Sequence, residues 1–228
     1  MFIKRNKCAF ALTELEYLGH VISAKGVATD KHKIQAILEW PVPTNLKSLR
    51  GILGSTGYYR KYIAHCGVLA QPLTHLLKKG VLFQWGPAYQ TAFEQLKQAM
   101  SSAPVLALPD FKFPFAVETD ASNTGIGAVL LQAGHPVAYL SKALSSRNQT
   151  LSAYEKECLA ILFAVEKWWP YLQHREFEIH TDHKSLLHLT EQRLHTPLQH
   201  KAFVKLMGLQ FKLVYKKGIN NAVADGLS

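Results

Sequence analysis

The sequence predicts an α/β protein, a mixed five-stranded sheet with flanking helices preceded by a small β-hairpin and a helical unit. Three observations carry this. Residues 113–142 hold three closely spaced strand patterns, residues 151–172 a long helix with a broad apolar face, and residues 177–218 two more strands with helical stretches between them. Three strands, helix, strand, helices, strand, helix is the order of a mixed sheet covered by helices.

The elements follow in order. KCAFAL, LEYLGHVIS and GVATD, spread over residues 7–30, alternate apolar and polar residues around Gly19 and Gly26 and read as two or three short strands. Asp30 is the N-cap expected for a helix through KHKIQAILEW, which Pro41 and Pro43 stop. Helical patterns are expected over about 45–64, 67–79 and 87–101. In the first of these Gly54 and Gly57 leave room for a close neighbour or a bend, and Pro87 suits the first turn of the last. SSAPVLALPDFKFP then reads as a connector lying against the next domain, giving expected units of 1–30, 31–110 and 111–228.

Beyond the connector, FAVETDAS, GIGAVLLQ and HPVAYLSK are the first three strands of the sheet, with AGH as a hairpin turn. The long helix LSAYEKECLAILFAVEKWWPYL follows, then the strand FEIHTD, the helices HKSLLHL and PLQHKAFVKLMGLQ, the strand FKLVYKKG and a last helix opening at NAVADGLS.

Composition bounds the function. With 228 residues, 48% apolar and 11% aromatic, the chain builds real cores. Cys8, Cys66 and Cys158 are far apart and odd in number, which argues against a disulfide framework or zinc ribbon and for a reducing, intracellular setting, cytoplasmic or nuclear. No stretch has the run of about eighteen apolar residues a membrane span needs. The net charge of +10 points to a polyanionic partner, against the alternative of a generic basic surface. Residues 1–110 hold 13 Lys and Arg against 6 Asp and Glu, and residues 111–228 hold 13 against 10, so the second half is set apart by its acids.

Those acids recur at strand ends. Asp120 closes the first strand of the sheet and Asp182 the fourth, each after a threonine. Sites in α/β sheets gather at the carboxyl ends of strands. Glu157 shares a helical face with Ala160 and Ile161 and should point toward the sheet, while Glu155 faces elsewhere. Asp225 follows Ala222 and Ala224, small residues that permit close approach. Each acid alone is more often solvated than catalytic; Glu118, two residues before Asp120, poses the same question. Four carboxylates brought together need cations, and all-oxygen ligation favours Mg²⁺ or Mn²⁺, two of which can activate water at a phosphodiester.

The series TDAS, GIGAVLLQ, YLSKALS, YEKECLAIL, TDHKSLLHL and VADGLS resembles the ribonuclease H domain of gypsy-type LTR-retrotransposon reverse transcriptases. Upstream, YLGHVIS, WPVP, LRGILGSTGYYRKYI, PLTHLLKK, FQWGPAYQTAFEQLK and APVLALPDF are similar to the end of the palm, the thumb and the connection of the same polyprotein. The resemblance implies a ribonuclease H-like sheet, two Mg²⁺ ions on Asp120, Glu157, Asp182 and Asp225, and an assisting Tyr215 where cellular relatives keep a histidine. It implies hydrolysis of the RNA strand of an RNA–DNA hybrid, recognised by backbone shape and 2′-hydroxyls. Arg50, Arg60 and Lys61, with Tyr58 and Tyr59 between them, could grip phosphates, although tyrosines at helical spacing more often pack.

Two departures matter. No Asp-Asp pair occurs in the chain, so the polymerase turn of that family is missing and DNA synthesis is not expected. That fits either a piece of a longer polyprotein, housed in a retrotransposon particle, or a relic of its rear half. ADGLS stands where the family has ADALS, and with Gly226 and three residues after Asp225 a frayed end is expected. The competing readings are a non-catalytic module that binds nucleic acid or protein through the same fold, and an integrase-like enzyme. Whether a homodimer or a separate polymerase subunit is involved stays open.

Overall fold

The computed structural model describes residues 8, 10–188 and 196–216. The N-terminal unit opens with an antiparallel sheet of β1 (Glu14–Tyr17), β2 (His20–Ser23) and β3 (Gly26–Thr29), in that order. The expected strand KCAFAL is not formed at its described residues, 8 and 10–12; LEYLGHVIS instead supplies two strands. The chain reverses at Leu18 and Gly19, whose φ values of 50° and 78° are left-handed, a conformation glycine adopts freely.

Asp30 caps α1 (Lys31–Leu38) as expected, accepting from the His32 N–H at 2.8 Å. Asn45 caps α2 (Leu46–Tyr58) in the same way through the Ser48 N–H at 2.9 Å. The helix expected to run to residue 64 stops at Tyr58 and tightens into a 3₁₀ turn, Arg60–Tyr62, which buries Tyr59, Tyr62 and Ile63 in one core. The Tyr58 and Tyr59 hydroxyls donate back to the carbonyls of Leu18 and Gly19, at 2.8 and 3.1 Å, and so fasten the β1–β2 turn. The expected helix 67–79 is two short ones, α3 (Cys66–Leu69) and α4 (Gln71–His75), because Pro72 has no N–H to continue the first. The fourth expected helix is α5 (Pro87–Ser101), with Pro87 in its first turn.

The second sheet has the order β6-β5-β4-β7-β8, built from β4 (Ala116–Ala121), β5 (Gly125–Gln132), β6 (His135–Ala143), β7 (Phe177–Thr181) and β8 (Phe211–Tyr215). β4, β5 and β6 pair antiparallel, whereas β7 runs parallel to both β4 and β8. A one-turn helix, α6 (Ser146–Gln149), precedes the long α7 (Ala153–Leu172), whose Ser152 and Glu155 form a capping box. α7 bends at Trp168, two residues before Pro170. After β7 come a 3₁₀ turn, Lys184–His188, and α8 (Pro197–Leu206). The helix expected at NAVADGLS lies outside the described residues.

Two faces follow from the strand period of two. Val117, Ala128, Leu130, Phe177 and Ile179 pack against Cys158, Ile161, Ala164, Val165 and Trp168 of α7 in the largest core. Val129 and Leu131, on the other face, meet Ala64 of the N-terminal unit. Burial pushes the thiols of Cys66 and Cys158 up to about 11, and no cysteine forms a disulfide.

The connector laces the two sheets together. Val27 and Leu106 exchange both backbone hydrogen bonds, at 2.8 and 2.9 Å, and the Ala107 N–H donates to Pro136 O at 2.7 Å. The Gln132 side chain accepts from the Asp110 N–H and donates to the carbonyls of Asp110 and Phe113. Gly26 lies at this seam with φ of 129°, and a Cβ there would stand 2.1 Å from Leu106 O. Gly26→Ala therefore meets both a forbidden backbone conformation and a backbone clash, and is expected to cost about 2–4 kcal/mol in urea unfolding. An unchanged midpoint would show that the seam yields without loss.

A candidate metal centre at the ends of two parallel strands

β4 and β7 are neighbouring parallel strands, so their carboxyl ends lie at one edge of the sheet. Asp120 is the penultimate residue of β4, opposite Gly127, which puts no side chain across the strand pair. Asp182 directly follows β7. Glu157 projects from the second turn of α7, on the buried face with Ala160 and Ile161, and its Oε1 accepts from the Ala121 N–H at 2.9 Å. That bond fixes α7 against the end of β4.

The result is a cluster. Asp120, Glu157 and Asp182 each present a carboxylate oxygen, all within 4.8 Å of one another, the first two buried and the third half-buried. Like charges this close are unfavourable without a compensating cation. Three oxygen donors with no sulfur or imidazole among them suit a hard divalent ion, so this donor set fits Mg²⁺ or Mn²⁺.

Around the cluster lie groups to which the sequence assigned no role. Glu118 is buried on β4 on the same face as Asp120, bonded to His180 Nδ1 at 3.3 Å and to Lys216 Nζ. Burial pushes its carboxyl up, but the hydrogen bonds and charges of His180 and Lys216 outweigh this and hold it below the ordinary value. The hydrogen bond to Glu118 raises His180 against the effect of its own burial, and Glu178 adds to the rise through Nε2 at 2.7 Å. Lys156, next to Glu157, is also buried and donates to Asn123 Oδ1 at 3.0 Å. Tyr154 packs edge-on against the His183 ring, and burial pushes its hydroxyl up to about 12. The one available signal was an unexplained Glu two residues from a candidate ligand; nothing in the pattern marks Lys156.

The other expected site residues are distributed as follows. Tyr215 closes β8 opposite Thr181, one residue from Asp182 along the register, with the Lys184 ammonium 5.1 Å from its ring centre. Asp225 lies outside the described residues. Arg50 is exposed on α2, and Arg60 and Lys61 are exposed in the following 3₁₀ turn, away from the acid cluster in the chain and not part of it. Tyr58 and Tyr59 divide, the first 53% exposed and the second buried. A Cβ at Gly54 or Gly57 would meet nothing within 4 Å, so neither glycine admits a close neighbour. No helix among the described residues is long and apolar enough to cross a membrane.

Comparison with known proteins bears on this geometry. Residues 85–179 match the family described as the RNase H-like domain found in reverse transcriptase. The chain is 40% identical over 227 residues to a retrovirus-related Pol polyprotein from transposon 297 of Drosophila melanogaster, covering 99% of this chain and 21% of that protein. It is 35% identical over 240 residues to the transposon Tf2-3 polyprotein of Schizosaccharomyces pombe, covering all of this chain and 18% of that protein. The chain thus spans about a fifth of these curated relatives. Among solved structures, a foamy viral protease-reverse transcriptase in complex with RNA/DNA hybrid superposes with a TM-score of 0.81 at 21% identity, over 93% of this chain and 30% of that one. The same enzyme with double-stranded DNA gives 0.79 over 90% and 45%. Strand order, register and these superpositions agree on a ribonuclease H-like fold preceded by an antiparallel three-stranded sheet. The chain is accordingly a relative of gypsy-type retrotransposon Pol polyproteins across about a fifth of their length, and its residues 85–179 match the RNase H-like domain found in reverse transcriptase.

Proposed function

We propose that this chain is a divalent-cation-dependent endonuclease that hydrolyses the RNA strand of RNA–DNA hybrids. The convergence of Asp120, Glu157 and Asp182 within 4.8 Å, at the end of two parallel strands, is the observation that supports it. Asp120, Glu157 and Asp182 would hold Mg²⁺, with Asp225 as a fourth ligand. Two such ions, when bound, supply an activated water and a counter-charge for the departing oxygen of a phosphodiester. The protein's own contribution is to hold the three carboxylates close together: Glu157 is fixed by the Ala121 N–H, Asp120 rides on β4 and Asp182 directly follows β7. Tyr215 would assist from the adjoining strand.

The substrate side rests on charge. A net charge of +10 suits a polyanion, and Arg50, Arg60 and Lys61 would contact phosphates of the duplex from the N-terminal unit, with residues 111–228 holding the nuclease domain. DNA synthesis is not part of the reading, since no Asp-Asp pair is present. We place the chain's work inside the cell, with the hybrid as partner.

The test is cleavage of end-labelled RNA–DNA hybrid, RNA duplex and DNA duplex, each with Mg²⁺, Mn²⁺ or chelator. Cation-dependent cutting of the hybrid's RNA strand alone is the expected result. Tight hybrid binding without turnover at any cation concentration would replace the enzyme with a binding module.

A further inference from the structure

Lys156 is the one buried cation among the described residues, 6% exposed, and it immediately precedes a candidate metal ligand. Burying an ammonium is costly unless its donors are satisfied. It has three N–H donors. One goes to Asn123 Oδ1 at 3.0 Å, and among the described residues this is its only hydrogen bond and no carboxylate lies within ion-pair distance. Two donors therefore remain without a described partner.

They remain beside open space. A cavity of about 440 Å³ is lined by Ala121, Ser122, Asn123, Leu151, Ala153 and Lys156. Ala121 is also the residue whose N–H holds Glu157, so cavity and acid cluster share a wall. The lining is polar at Ser122, Asn123 and Lys156, the chemistry of a site that takes an oxygen anion.

We propose that Lys156, oriented by Asn123, anchors a non-bridging phosphate oxygen of the nucleic-acid backbone beside the acid cluster. This deepens the nuclease reading and rests on it for the identity of the anion. Three clustered carboxylates repel a polyanion, so a strand brought to them needs a fixed cation close by. A buried ammonium is screened less by salt than a surface one, and its bond to a phosphate oxygen is charge-assisted. Asn123 serves as the orienting group because a neutral acceptor leaves the positive charge unspent, whereas a carboxylate partner would cancel it. The arrangement also explains why a lysine is tolerated at a buried position of a helix whose neighbours are Glu157, Cys158 and Leu159.

The test is a cycle between protein and substrate, read as equilibrium binding of the full chain to labelled RNA–DNA hybrid in chelator, so that it does not depend on turnover. Hybrids carry one uncharged methylphosphonate, moved linkage by linkage; the protein is the parent or Lys156→Met, with Lys156→Gln as a second variant should the first fail to fold. One linkage is expected at which the methylphosphonate weakens parent binding about tenfold, and Lys156→Met alone weakens it by a similar factor. The two together should be no worse than either, with the salt dependence of Lys156→Met lower by about one charge. Strictly additive losses at every linkage would overturn the anchor and leave Lys156 as a tie between α7 and the turn after β4. A sensitivity that follows 2′-deoxy substitution instead of the methylphosphonate would overturn the phosphate assignment. If coupling is seen while cleavage is absent, the nuclease reading fails and the anchor stands.

Discussion

Asp182→Asn is expected to abolish cleavage of an RNA–DNA hybrid and, in chelator, to make the protein more stable. Both effects come from one fact, three carboxylate oxygens within 4.8 Å of one another. Unit charges about 4 Å apart repel by about 1 kcal/mol per pair in bulk water and by about 4 kcal/mol at the effective dielectric near a protein surface. Asparagine keeps the shape and removes one charge. The melting temperature in chelator should therefore rise by roughly 2–4 °C for each kcal/mol of repulsion relieved. Added Mg²⁺ should stabilise the parent by mass action and the variant much less. Cleavage should fall by more than the roughly 10–100-fold that loss of a group merely supporting a metal ligand costs. Equal cleavage by parent and variant would remove Asp182 from the chemistry. A variant less stable than the parent in chelator would mean that neighbouring donors, not repulsion, dominate the cluster.

The parts of this molecule legible in the sequence are those set by local chemistry. GIGAVLLQ is β5 to the residue, and Asp30 and Pro87 start their helices where expected, because apolar periodicity, N-caps and prolines act within a few residues. Elements whose limits depend on packing were not legible. α2 ends early because Tyr59 and Tyr62 both enter the core through a tighter turn, and LEYLGHVIS folds back on itself because the hydroxyls of Tyr58 and Tyr59, some forty residues on, hold its turn. The site divides in the same way. Asp120, Glu157 and Asp182 stand out because each interrupts an apolar pattern at the end of a strand or on the inward face of a helix. Glu118 interrupts one too, but its meaning depends on partners 62 and 98 residues away, which no local pattern encodes.

Those partners make Glu118→Gln the second large effect, this time on the fold. Glu118 sits on the central strand with its side chain 3% exposed, and its carboxylate joins three strands at once: β4 through itself, β7 through His180 and the exit of β8 through Lys216. Glutamine preserves volume but leaves the Lys216 ammonium, 29% exposed, without its counter-charge. Breaking a buried pair from one side costs about 3 kcal/mol, or roughly 6–12 °C in melting temperature for a chain of this size. Glu118→Leu combined with Lys216→Met should recover part of that loss, because no charge is then left stranded. The pH profile carries a second signature. Glu118 is held below its ordinary 4.5, so its stabilisation is present above pH 4.5 and fades as pH falls through the lower folded value. His180 is raised above 6.5, so its contribution is complete below pH 6.5 and fades as pH rises through the higher folded value. The windows overlap between pH 4.5 and 6.5, where these groups together stabilise the parent most. Glu118→Gln removes the first contribution and weakens the second, since Glu178 remains to His180, and its melting temperature should vary less with pH on both flanks. A variant that melts with the parent across this range would show that the strand pairing, and not the buried charges, joins β4, β7 and β8.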